Sequence, residues 1–222
     1  MLTIRNCIVV ITCVLAISQP AHARAPRTSP LPDPSLSAAI SATPNAIRGQ
    51  IIFKKRCAQC HQSDAYGSGK QSIPALAGQQ YEYLVKQLVD LVDFERANGT
   101  MHAVLIQSGV SNTQSIADVA GYAANLPMNP SPDKGDGLQI LLGQKIFDGS
   151  CISCHDKHAE GNAELWIPNL RGQHYEYLLK QMHTMADGSR NNISEDVHRV
   201  FTIYAPSELE AVTDYISRMT GM

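Results

Sequence analysis

Strongly basic stretches are missing from this 222-residue sequence. Lysine and arginine total 18 against 20 aspartates and glutamates, for a formal net charge of −2. Without a basic patch there is no electrostatic footprint for nucleic acid, and no strong attraction to an anionic membrane surface. Long apolar runs are equally scarce. The one candidate lies at the start, where Arg5 supplies a short basic region and Cys7 to Ile17 an apolar core. Gln19-Pro20 interrupts it too early for a membrane span of about 20 apolar residues. Ala21-His22-Ala23 then gives the small-x-small pattern of a signal-peptidase site, so residues 1–23 are expected to direct export, with cleavage after Ala23. A retained N-terminal anchor is the rival reading. Removal of the leader takes away Arg5 and no acidic residue, which moves the net charge from −2 to −3. Strand-like alternation is also absent, and the expected fold is all-α.

Cysteine is sparse once the leader is set aside. Of six, Cys7 and Cys13 leave with it, and Cys57, Cys60, Cys151 and Cys154 remain. In an exported chain an even number admits two disulfides. Their spacing points elsewhere, because each pair sits inside a repeat. GQIIFKKRCAQCH begins at Gly49 and GQKIFDGSCISCH at Gly143. The offset of 94 holds without a gap through IPALAGQQYEYLVKQ (73–87) and IPNLRGQHYEYLLKQ (167–181), with roughly half of the aligned positions identical. Repeats decide architecture, so the chain is expected to be one small domain written twice.

The expected boundaries follow from composition. Residues 24–39 form a Pro-rich tail, of which RAPRTSPLPDPSLS (24–37) is read as extended. The first domain covers 40–127, a linker rich in Pro, Gly and Asp covers 128–137, and the second domain covers 138–222. Helical signals bracket each copy. Thr43-Pro44 reads as an N-cap and first helical residue, and Ser207 to Glu210 as a capping box. Between them Leu84, Leu88 and Leu91, and later Leu178 and Met182, fall at helical spacing. Domains of this size are small for a self-sufficient hydrophobic core.

CAQCH (57–61) and CISCH (151–155) are both CxxCH, the attachment signal of c-type haem. Two thiols three residues apart near a helix end can each form a thioether to one vinyl group of the same haem. The next residue, His61 or His155, then lies under the iron as its proximal ligand. A redox dithiol, a disulfide or part of a zinc site are the alternatives. Two covalently attached haem c groups would also fill the interiors that such short chains leave open.

With these motifs in place the sequence resembles the dihaem cytochromes of the cytochrome c-four type, two fused class I cytochrome c domains. The resemblance rests on IPALAGQ (73–79), YLVKQL (83–88) and IADVAGYAANL (116–126), and on IPNLRGQ (167–173), YLLKQM (177–182) and LEAVTDYI (209–216). It implies two tandem all-α domains, each enclosing one haem, packed across a two-fold-like interface. It implies that the Pro74 and Pro168 carbonyls accept the other ring proton of the proximal histidines. It also implies a periplasmic shuttle for single electrons, with a dehydrogenase, a terminal oxidase or a small carrier as partner. Membrane contact would come only through partners or a retained anchor.

The distal side is where the copies part. Met101, expected in a loop, is the candidate ligand of the first haem; a soft thioether favours ferrous iron and raises the reduction potential. The alternative is a core filler. Aligning MHAV (101–104) with VHRV (197–200) puts Val197 in the methionine column, and valine cannot bind iron. His198 next to it is the leading replacement. Met182, Met185 or His183 from the preceding helix are others, and an iron open to water or a small molecule is the last. An electron carrier with inequivalent haems is therefore expected, and a haem enzyme binding peroxide at an open second haem is the alternative. No acid–base constellation near CISCH favours the enzyme. Arg96 and Arg190 pair with haem propionates or lie solvated, and His158 and His174 are expected at the surface.

Overall fold

Helix boundaries in both halves are set by caps that the chain repeats. A computed structural model of the protein describes residues 34–220, all helix, turn and loop, with no strand among them beyond two isolated bridges, Ser68 to Ile73 and Asn162 to Ile167. The proposed leader and its cleavage site lie outside the described residues.

The first half starts with α1 (Pro34–Ser41) and α2 (Ala46–Ile52), which widens into a π-helical turn at Phe53–Cys57 and closes in α3 (Ala58–His61). Then come α4 (Tyr81–Val92), α5 (Gly99–Ser108) and α6 (Thr113–Ala124). The second half repeats the plan without a counterpart of α1. Helix α7 (Ile140–Ile146) widens at Phe147–Cys151 into α8 (Ile152–His155), and α9 (Tyr175–Ala186), α10 (Glu195–Thr202) and α11 (Pro206–Ser217) follow. A π-turn is uncommon, and here one lies just before each CxxCH histidine.

In each half the first long helix crosses the last at a glycine. A methyl group on Gly49 would overlap the main-chain oxygen of Asp118, and one on Gly143 that of Ala211. Beside these crossings the fully buried Phe53 and Phe147 tilt against Tyr122 and Tyr215, with ring centroids 5.4 and 5.7 Å apart. Two hydrophobic cores result, one per half. Each is closed by a small set of large side chains.

Several local expectations are corrected. Residues 34–39 belong to a helix, not to an extended tail. Pro34 opens that helix, where a missing N–H costs nothing, and Leu36 and Ala39 bury against α4 and α6. The cap of α2 is Asn45, whose side chain accepts from Arg48 N–H, while Pro44 packs toward Gly121. Helix α11 begins at Pro206, with Glu208 reaching back 2.8 Å to Ala205 N–H. Met101 lies in the first turn of a helix and not in a loop.

Residues 128–137 are ordered against both halves. Met128 fills the space beside Gly78 and Gly172, two turn glycines with φ of +70° and +69° in equivalent positions. Asn129 is buried, and the Asp133 carbonyl accepts from Tyr175 N–H. The described residues form one compact unit.

Candidate functional site

Each CxxCH histidine is aimed by the loop that follows it. The chain turns back after α3 so that Gly67 N–H donates to the His61 carbonyl, and Gly161 N–H donates to that of His155. Both glycines have positive φ, +73° and +71°, and a side chain on either would collide with the Pro74 or Pro168 carbonyl. Those carbonyls therefore approach the imidazoles. His61 Nδ1 donates to Pro74 O at 3.0 Å, and His155 Nδ1 to Pro168 O at 3.1 Å. The tautomer is thereby fixed, with the lone pair on Nε2. Burial holds both imidazoles below the usual histidine range, against the opposing pull of the carbonyl bonds. Neutral and oriented by that second bond, each ring is prepared to bind a metal through Nε2.

The thiols are free, Cys60 and Cys154 exposed, Cys57 and Cys151 half-buried. Burial first, and the neighbouring cysteine second, push the Cys57 and Cys151 thiols up to about 11. A redox dithiol needs a depressed pKa, so this environment does not suit one. No group of three or more His, Cys, Asp or Glu side chains among the described residues is arranged to hold a metal ion. Two free thiols beside one oriented imidazole, twice over, fit a covalently held haem.

The distal candidates stand in matched places. Asn98 caps α5 and accepts from Met101 N–H at 3.1 Å; Ser194 caps α10 and accepts from Val197 N–H at 3.3 Å. The next residues repeat as well. His102 Nδ1 donates to Leu91 O at 3.0 Å, and His198 Nδ1 donates to Met185 O at 2.7 Å. Met101 packs partly buried against the first core, while Val197 is 37% exposed. Met182 is buried, and its sulfur accepts from Thr213 Oγ1 at 3.1 Å.

The resemblance implied a two-fold-like contact between the halves, but sequence reasoning did not identify the residues that make it. The Gln79 amide spans the main chain of Asn169, donating to its carbonyl at 2.7 Å and accepting its N–H at 3.0 Å. Gln173 does the same to Ala75, with both bonds at 2.9 Å. Arg96 donates to Tyr177 Oη and to both Gln87 and Gln181; Arg190 donates to Tyr83 Oη and to the same two glutamines. Every one of these pairs obeys the offset of 94, as the two faces of an isologous contact must. His174 is corrected from surface to seam: Nδ1 accepts from Asp133 N–H and Nε2 donates to Tyr66 O at 2.7 Å. Its counterpart Gln80 reaches Glu160 O, the matching carbonyl. Trp166 also crosses over, packing against the first core.

The two guanidiniums meet only neutral oxygens within hydrogen-bonding distance. Burial raises the Tyr177 phenol, but the charges of Arg96 and Arg190 outweigh it and leave the hydroxyl below its ordinary range. The Asp90 carboxylate lies within reach of this network, accepting from Asn192, itself a partner of Arg190, and acting on the Arg96 charge. The signal for the network was present: tyrosine, glutamine and arginine recur at identical repeat positions.

A family model described as Cytochrome c matches residues 46–124 and 140–220. The sequence is 30% identical over 168 residues to "Cytochrome c4" of Pseudomonas aeruginosa, a match covering 72% of this chain and 82% of that protein. It is 27% identical over 201 residues to "Thiosulfate dehydrogenase electron acceptor" of Stutzerimonas stutzeri, covering 81% and 90%. The crystal structure of reduced recombinant cytochrome c4 from Pseudomonas stutzeri matches with a TM-score of 0.71 at 27% identity, covering 80% of this chain and 100% of that one.

Proposed function

The chain belongs to the cytochrome c family, with two tandem domains and two covalently bound haem c groups, and from that premise we propose a periplasmic carrier of single electrons whose two haems are inequivalent. Haem c supplies a one-electron ferric–ferrous couple when bound. Cys57 and Cys60 would hold the first haem and Cys151 and Cys154 the second. His61 and His155 would offer Nε2 to iron, each steadied by its proline carbonyl. Met101 would supply a thioether to the first site. Val197 offers nothing equivalent in the second.

The observation that carries this reading is the duplicated unit of CxxCH thiols and a histidine bonded through Nδ1 to a proline carbonyl. Low reorganisation is what such a carrier needs, and the reciprocal Gln79 and Gln173 clamps and the Arg–Tyr–Gln network hold the halves as one body. The likeness to a thiosulfate dehydrogenase electron acceptor supports a dehydrogenase as electron donor. No helix of the described residues is long and apolar enough to cross a membrane.

A redox titration of the holoprotein tests the inequivalence. Two one-electron waves are expected, separated by a sizeable fraction of the roughly 0.8 V over which axial ligation tunes haem iron. Coincident waves with two methionine–iron charge-transfer bands would overturn it.

A further inference from the structure

The repeat allows each distal candidate of the second half to be compared with the residue in its place in the first. Helices α5 and α10 start on equivalent caps, and their third residues, Met101 and Val197, have their N–H groups bound by those caps. The residues after them, His102 and His198, donate through Nδ1 to Leu91 O and Met185 O, carbonyls that correspond by the offset of 94. The ring of His102 stacks edge-on to Phe94, at 4.8 Å between centroids. The ring of His198 lies toward Gly188, the residue that takes the place of Phe94. His198 thus occupies a position that a histidine also fills when a methionine stands beside it. Its bond anchors α10 to the end of α9.

The candidates on α9 are accounted for in the same way. Met182, His183 and Met185 stand where the first half has Leu88, Val89 and Leu91. Met182 binds Thr213 Oγ1 through its sulfur on the seam between α9 and α11, the place of the Leu88 and Ala120 pair between α4 and α6. None of the three positions is the one that presents Met101. Val197 alone takes the place of Met101, as the third residue of a helix on an equivalent cap, and a valine carries no sulfur to offer a metal.

We propose that the second site is an open binding site for a small neutral ligand of the carbon monoxide or nitric oxide class, admitted beside Val197, with His198 a positioning residue for α10. This rests on the assignment of a haem to CISCH, so haem content comes first: mass spectrometry and pyridine haemochrome assay should give two haems per chain, and a lower value sinks that assignment rather than this one. Carbon monoxide is then titrated into the dithionite-reduced holoprotein, followed by absorbance. Saturation at one per chain is expected, with the methionine–iron band of the oxidised protein accounting for one haem.

Val197→Met should abolish carbon monoxide binding and double the methionine–iron band. His198→Gln, which retains a donor toward Met185 O, should leave the stoichiometry at one. A wild-type protein that binds none, while His198→Gln binds one, identifies His198 as the ligand and overturns the proposal. The same pattern with Met182→Leu or Met185→Leu assigns the ligand to α9 and overturns it equally. Unchanged binding in Val197→Met also overturns it, because Val197 would then not border the site.

Discussion

The two halves agree wherever the chain holds its proximal side and its partner half, and differ at the distal side and the outer cover. Histidine, proline carbonyl and turn glycine superimpose in chemistry and in offset. So do the seam residues Gln79 and Gln173, and Arg96 and Arg190. By contrast Met101 is answered by Val197, and α1 has no counterpart before α7 among the described residues. Duplication preserved what binds the two units together and released what sets each one apart. Differences of function should therefore be sought on the distal helices, and differences of stability in the cover supplied by α1.

The glycine crossings offer the hardest test of that division. Gly49→Val and Gly143→Val each force a branched side chain into main-chain atoms of the last helix of their own half. Overpacking costs about 1–3 kcal/mol and more when backbone must move, so a loss of about 3 kcal/mol or greater is expected in either. Helix α1, with Leu36 and Ala39 buried on α4 and α6, buttresses only the first half. Thermal unfolding followed at the haem bands should show the second half of Gly143→Val melting earlier than the first half of Gly49→Val. Equal shifts would show that α1 adds no support.

How much of this was legible in the sequence depends on the kind of signal. CxxCH and the gapless repeat gave the haems and the two all-α domains, because covalent attachment and duplication leave fixed spacings. Helix α5 escaped because GTMHAVLIQS is apolar on no single side, and α10 because its stripe of Val197, Val200 and Phe201 spans only eight residues. Helix α1 escaped because prolines at 26, 30, 32 and 34 read as an extended run, although the last can open a helix. His174 was misplaced, and the seam bonds of Arg96 and Arg190 went unforeseen, for a general reason. A polar residue in a seam is indistinguishable from one on a surface until its partner's position is known. The partners here lie in the other repeat: Tyr177 and Gln181 for Arg96, Tyr83 and Gln87 for Arg190, and Tyr66 for His174.

The seam supplies an effect of intermediate size. Gln79→Ala leaves the Asn169 N–H and carbonyl unpaired, and Gln173→Ala does the same to Ala75. Buried groups left without partners cost about 1–3 kcal/mol, so each variant should lose that much in denaturant titration, and the two losses should be nearly equal. The double variant should lose less than their sum, because once one clamp has opened the other has less to hold. A large loss from one and none from the other would mean that only half of the two-fold contact bears load.

The smallest effect concerns acid. In the first half Asp118 ties α6 to the start of α2, accepting from Asn45 N–H at 2.7 Å, Arg48 Nε at 2.6 Å and Gln114 Nε2 at 2.8 Å. Burial acts to raise its carboxyl, but the bonds from Arg48, Asn45 and Gln114 prevail and leave it below the ordinary carboxylate range. A folded pKa depressed below the unfolded one contributes stability that is present above the unfolded value, near about 4, and is lost as pH falls through the folded value. The first half should therefore lose melting temperature below about pH 4, and Asp118→Asn should flatten that acid limb while lowering stability at neutral pH. The second half makes its comparable tie differently, with Asp214 accepting from the Gly137 N–H and Arg218. Asp118→Asn should accordingly leave the acid response of the second haem's transition unchanged. If both transitions flatten together, the halves unfold as one cooperative unit, and the seam rather than either core governs the stability of the whole.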